Sequence, residues 1–96
     1  MLFEWDVRKA DTNARRHAVG FAEAATVFTD PLSVTVSDPD HSEDEDRFIT
    51  IGTSASRRLL IVAHTDRADR IRIISARRAT QRERTAYESG DFERDE

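Results

Sequence analysis

Between Arg67 and Arg84 the chain carries seven arginines against two acids, although its formal net charge is -4. Guanidinium is always charged and meets phosphate or carboxylate in a two-pronged geometry, so this local excess calls for an anionic partner. RNA is the leading candidate. Arg77 and Arg78 fall where rigid strand backbone gives way to a groove; they either bind phosphate there or lead into the next helix as a solvated pair. Arg70 and Arg72 share one face of the same expected strand, opposite Ile71 and Ile73. They either add to the cationic surface or blunt a sheet edge with charge. Arg82 extends the series.

Proton transfer asks for other residue types. His64 closes the most apolar stretch, and histidine is the side chain best suited to moving a proton near neutral pH; a buried, hydrogen-bonded structural histidine is the alternative. Glu83 can act as a general base, or can complete the capping box Thr80-Gln81-Arg82-Glu83. Tyr87, one turn further on, is either a core-edge residue or a platform on which a base stacks. Lys9, the single lysine of the chain, shares a helix face with Asn13 and Arg16, which is either a contact surface or a solvated stripe. His17 is read as a partner of the helix carbonyls, and His41 as incidental.

The elements that must position these residues follow from periodicity. Leu2-Phe3-Glu4-Trp5 alternates as a strand, Asp6 is a candidate N-cap, and Val7, Ala10 and Ala14 repeat with helical spacing over Val7 to His17. Gly20 opens a second helix with Phe21, Ala24, Ala25 and Phe28 on one side, stopped by Thr29-Asp30-Pro31. Period-two alternation then marks strands at Leu32 to Val36 and Phe48 to Ile51. Leu59 to Ala63 is continuously apolar, as in a central strand covered on both faces, and Ile71 to Ile74 is the last strand. Hairpin-sized loops at 52–58 and 65–69 favour antiparallel neighbours. A final helix runs from the capping box to Gly90. The expected fold is α+β, with helices packed on one face of a twisted antiparallel sheet. Residues 1–90 form one domain, and the acidic tail 91–96 is expected to fray.

Composition narrows the classes of function. With no cysteine there is no disulfide framework and no thiolate metal site. The longest apolar run, Leu59 to Ala63, is far short of the ~20 residues that span a bilayer, so no membrane role is expected. No basic, apolar leader precedes Met1-Leu2-Phe3-Glu4, and a cytoplasmic location is expected. No metal and no cofactor are expected either: there is no pair of histidines at metal-ligand spacing. Asp38 to Asp46, with six acids in nine residues, starts like a calcium loop but has Glu43 where glycine belongs and Ile49 where the closing glutamate belongs. Such a run reads as a solvated loop, one that repels nucleic acid away from the arginines or meets basic residues of a partner.

Three stretches together resemble the BrnT toxins of bacterial type II toxin-antitoxin systems. They are Phe3-Glu4-Trp5-Asp6 followed by Lys9, Asn13 and His17; Asp38-Pro39-Asp40-His41-Ser42 before Arg47-Phe48-Ile49-Thr50-Ile51-Gly52; and Arg70 to Tyr87. The resemblance runs from Phe3 to about Glu88. It implies a RelE-like fold and a ribonuclease that arrests translation, held inactive by a BrnA-like antitoxin with a DNA-binding ribbon-helix-helix element, so that DNA is met only through the antitoxin. Where typical members read His-Gly-Val-Ser-Phe-Glu-Glu-Ala, this chain has His17-Ala18-Val19-Gly20-Phe21-Ala22-Glu23-Ala24.

On that resemblance His64, Arg77, Glu83 and Tyr87 are the candidate catalytic residues. Lys9, Arg16, Arg70, Arg72, Arg78 and Arg82 are the candidate RNA contacts. The expected reaction is a metal-independent transesterification, which needs a group to take the proton of the ribose 2'-hydroxyl, a group to protonate the departing 5'-oxygen, and cations at the crowded phosphorus. The competing reading is a non-catalytic nucleic-acid-binding or protein-interaction module built on the arginine strand. RNA cleavage separates the two.

Overall fold

Asp6 starts the first helix, its carboxylate accepting the backbone N–H of Arg8 at 2.8 Å and of Lys9 at 3.2 Å, two donors that the helix itself leaves without partners. The computed structural model describes residues 1–38 and 46–92. Along the chain they form β1 (Leu2–Glu4), α1 (Val7–His17), α2 (Phe21–Thr26), β2 (Val34–Ser37), β3 (Arg47–Thr53), β4 (Leu59–Arg67), β5 (Arg70–Arg78) and α3 (Gln81–Glu88). The side of α2 that carries Phe28 continues only as a 3-10 turn, Val27–Thr29. Thr80 and Glu83 form the expected capping box, and beyond α3 Gly90 takes a left-handed φ of 78°.

The five strands form one sheet in the order β1-β5-β4-β3-β2. The hairpins β2–β3, β3–β4 and β4–β5 are antiparallel, as short connections require, but β1 joins the far side of β5 in parallel. The sheet is therefore mixed rather than wholly antiparallel, because the chain crosses over through α1 and α2 before the other four strands form. Three strands outrun their apolar stretches. The expected loop at 65–69 shrinks to a turn at Ala68 and Asp69, with Ala68 at φ 54°, and Arg77 and Arg78 are the last residues of β5 rather than past its end.

Both faces of the sheet are covered in part. On the first, α1 and α2 lie over Leu60, Val62, Ile73 and Ala76 and enclose Val19, Phe21, Ala24 and Val27. Each valine, leucine, isoleucine or phenylalanine among them, fully buried, stabilises by ~1.5–3 kcal/mol. On the second, Ile51, Leu59 and Ile61 meet Tyr87 and Phe92, so α3 packs opposite the other helices. That corrects the expectation of helices on one face only. The central strand β4 is buried on both sides, as its unbroken run of apolar residues requires.

Two further contacts fix the frame. A Cβ at Gly52 would lie 2.9 Å from Ser33 Cβ and 2.9 Å from Val27 Cγ1, so only glycine lets the 3-10 turn seat on β3. Glu23 on α2 is bound by Arg58 and by Ser54 Oγ of the β3–β4 turn, with the Arg58 hydrogen bond holding the Glu23 carboxyl below its ordinary range. Among the described residues no helix is long and apolar enough to cross a membrane. Residues 39–45, which carry His41 and most of the acidic run, and 93–96 of the tail lie outside the described residues.

Candidate functional site

Asn13 is the hinge on which the site is built. Past Glu4 nothing in β1 pairs with the outer edge of β5, and there the Asn13 side chain takes the place of a neighbouring strand. Its Nδ2 donates to Ala76 O at 2.8 Å and to Val19 O at 3.0 Å, while its Oδ1 accepts Ala76 N–H at 3.1 Å. A side-chain amide donates from nitrogen and accepts at oxygen at the same time, and a buried one must do both. The result is that α1 lies against the edge of β5 in a fixed register.

Between them runs a groove of about 290 Å³ lined by Arg8, Lys9, Thr12, Asn13, Arg16, His17, Ile74 and Ser75. Lys9, Asn13 and Arg16 reach it because they share the helix face that their spacing predicts. Ile74 reaches it from the sheet: the β4–β5 register slips between Ala63 and His64, leaving Ile74 as the unpaired residue of a bulge, a distortion that re-aims side chains. Three cations, one imidazole and two hydroxyls line the groove, with no acidic side chain among the lining residues.

A second cationic zone covers the open part of the second face. Cross-strand pairing puts Glu4 beside Arg72, Arg72 beside Thr65, and Arg67 opposite Arg70. Three guanidiniums gather there on one carboxylate, Glu4: Arg72 at 3.2 Å, Arg67 at 3.7 Å and Arg70 at 3.7 Å. Further along β5 on the same face, Arg77 is clamped by Glu83 through two bonds of 2.8 Å each. Glu83 also accepts Thr80 N–H at 2.8 Å, and its pKa falls to about 2, chiefly through the Arg77 hydrogen bonds.

The expected catalytic residues do not all meet. Arg77 and Glu83 form one pair. Tyr87 lies on the same face, but its hydroxyl donates to Leu32 O at 3.1 Å and its ring packs with Ile51 and Leu59, so it holds α3 to the sheet instead of offering a stacking platform. His64 points to the opposite face. It is 2% exposed, edge-on to Phe28 and stacked on Phe48. Its Nδ1 lies 3.1 Å from Asp66 Oδ1 and its Nε2 2.8 Å from Thr50 Oγ1, which in turn sits 2.7 Å from Thr35 Oγ1. An ionised Asp66 only accepts, so Nδ1 carries the proton and Nε2 accepts from Thr50. Burial pushes the imidazole below its ordinary 6.5. This is the satisfied structural histidine, separated from Arg77 and Glu83 by the sheet itself.

Of the expected RNA contacts, Lys9 and Arg16 share the groove, Arg70 and Arg72 share the Glu4 cluster, and Arg78 and Arg82 are exposed elsewhere. His17, read from sequence as a partner of helix carbonyls, lines the groove, as do Arg8 and Thr12. The signal for them was present: His17 lies one residue past the Lys9-Asn13-Arg16 stripe. Chemically the groove can hold a phosphodiester with three cations and offer it an imidazole.

The pattern of the family described as "Ribonuclease toxin, BrnT, of type II toxin-antitoxin system" matches residues 5–83. Among solved structures, the crystal structure of the Brucella abortus ribonuclease toxin BrnT matches with a TM-score of 0.61 at 22% identity, covering 84% of this chain and 100% of that one. At that identity the likeness is one of fold. Comparison with curated proteins gives no match.

Proposed function

The chain belongs to the BrnT family of ribonuclease toxins of type II toxin-antitoxin systems, and on that premise we propose that it cleaves RNA in the groove between α1 and β5 by metal-independent transesterification. The observation that carries this reading is the lining: Arg8, Lys9, Arg16 and His17 converge on one cavity that has no acidic side chain to repel a phosphate. The ribose 2'-oxygen attacks phosphorus, its proton passes to a base, and the bond to the 5'-oxygen breaks as that oxygen takes a proton. His17 is the lining group suited to carry the proton, and the cations stabilise the charge that builds on the phosphorane oxygens. In this reading the cations take the part that a metal plays elsewhere.

Such cleavage, in the cytoplasm, arrests translation. A BrnA-like ribbon-helix-helix antitoxin holds the enzyme inactive, and contact with DNA is made through that partner. Purified protein incubated with matched RNA and single-deoxyribose substrates, with and without EDTA, tests the chemistry. Cleavage should persist in EDTA, leave a 2',3'-cyclic phosphate and a 5'-hydroxyl, and spare the deoxy substrate. Lys9→Gln and His17→Ala should each lower the rate by ~10² or more without unfolding the protein. Loss of activity in EDTA, or cutting of the deoxy substrate, rejects the mechanism.

A further inference from the structure

We propose that Arg67, Arg70 and Arg72 form an anion subsite for a backbone phosphate of the RNA strand, which Glu4 occupies in the free protein and yields on binding. The inference rests on reading the groove as the RNA site. Its starting point is a misfit. Where this protein pairs arginine with carboxylate for structure, as at Arg77 and Glu83, the two bonds are both 2.8 Å, the length expected of charge-assisted bonds. Around Glu4 the distances are 3.2, 3.7 and 3.7 Å. A planar carboxylate has two oxygens to share among three forked cations; a tetrahedral phosphate group is larger and presents its oxygens in more directions.

The packing of like charges points the same way. Arg67 and Arg70 stand directly opposite each other across β4 and β5, an arrangement that destabilises a sheet unless an anion lies between. Next to them Thr65 is buried, 4% exposed, and its hydroxyl has no hydrogen-bond partner among the described residues, though Arg72 is its register neighbour. A buried hydroxyl without a partner is destabilising.

Position connects the cluster to the groove. Arg70, Arg72, Ser75 and Arg77 follow one another along one face of β5, since Arg72 pairs with Thr65, Ser75 with Ala63 and Arg77 with Ile61. Ser75 also lines the groove. Alternate residues on a strand stand about 6–7 Å apart, so a single strand whose scissile linkage lies beside Lys9 and His17 passes the Glu4 cluster within a nucleotide or two.

Binding of a single-stranded, fully 2'-O-methylated RNA, which cannot be cleaved, tests this by fluorescence anisotropy over a range of salt. Arg70→Gln, at an exposed position, should weaken binding roughly fivefold and lower the slope of log affinity against log salt by about 0.7. Glu4→Gln should strengthen binding by roughly two- to fivefold, because the competing anion is gone. Thermal melts of both variants establish that they remain folded. If both bind as the wild type does while Lys9→Gln weakens binding, the subsite is refuted and the groove reading stands. If the wild type itself fails to bind, the groove reading falls and the subsite with it. Loss of affinity for a protein partner alone, with RNA binding unchanged, identifies the cluster as a protein contact and also refutes the proposal.

Discussion

Glu83 serves two neighbours at once, and its chemistry follows from that. Its carboxylate receives Arg77 through both guanidinium nitrogens and the N–H of Thr80. With its pKa drawn from 4.5 to about 2, it is ionised at neutral pH and too weak a base for efficient proton transfer. Its role is to set the start of α3 and to aim Arg77. The linkage has a definite sign: a carboxyl whose pKa is lower in the folded state stabilises fully above pH 4.5, and that stability is lost as pH falls through about 2. Glu83→Gln keeps an acceptor for the cap but loses the ion pair. We expect it to cost roughly 1–3 kcal/mol near neutral pH, toward the lower end because the Arg77 side chain is 40% exposed. Chemical denaturation at a series of pH values measures this, and the gap to wild type should close between pH 4.5 and about 2. A gap independent of pH would mean that the pair adds nothing. Sequence offered both readings of Glu83 and of His64. In the structure Glu83 is engaged by Arg77, six residues before it, whereas His64 is engaged by Thr50 and Phe28, which lie farther off along the chain.

The joint between α1 and α2 is the element in which local sequence and backbone disagree. Ala18 closes α1 in the left-handed region at φ 57°, which a side chain with a Cβ occupies at a cost of roughly 1–2 kcal/mol. Two residues on, Gly20 occupies the N-cap of α2 in extended backbone, with no side-chain cap and nothing within 4 Å of where a Cβ would stand. Each position holds the residue that the other could better use. Ala18→Gly should raise stability by up to about 1 kcal/mol, the relief being partly offset by a more flexible unfolded chain. Gly20→Ser should add a few tenths by capping α2. Urea denaturation of the single and double variants checks both, and a destabilised Ala18→Gly would show that the joint carries no strain. Elsewhere the elements were legible from period and capping: Asp6, the Lys9-Asn13-Arg16 stripe, the apolar run of β4 and the box at Thr80 all form as their residues dictate. Two features were not. The pairing of β1 with β5 has no local signal, because the partners are 68 residues apart at Glu4 and Arg72. The ends of β4 and β5 were hidden because Thr65, Asp66, Arg70, Arg77 and Arg78 are polar and break the apolar pattern.

At the scale of the whole molecule the charges are segregated. The net charge is -4, yet the groove and the Glu4 cluster gather cations on the side of the sheet where β1 and β5 meet α1. Segregation of this kind raises the local concentration of an anionic strand at one place while the net charge discourages indiscriminate nucleic-acid binding elsewhere. It also prescribes the inhibitor. A protein that silences this enzyme gains most by covering the cationic side with carboxylates of its own, in the manner of Glu4 and Glu83, since occlusion there blocks both the groove and the approach to it. We therefore expect an antitoxin complex that protects backbone amides over Arg70 to Arg84, together with those of α1 facing the groove, in hydrogen exchange. Its association rate should fall steeply as salt is raised. Amides of β5 bonded to β4 are expected to exchange slowly even in the free protein, so the informative positions are those on its outer edge and in the first turn of α3. Protection confined to Asp38 to Asp46 would instead describe a partner tethered by its basic residues, leaving the groove open and requiring inhibition by some means other than occlusion.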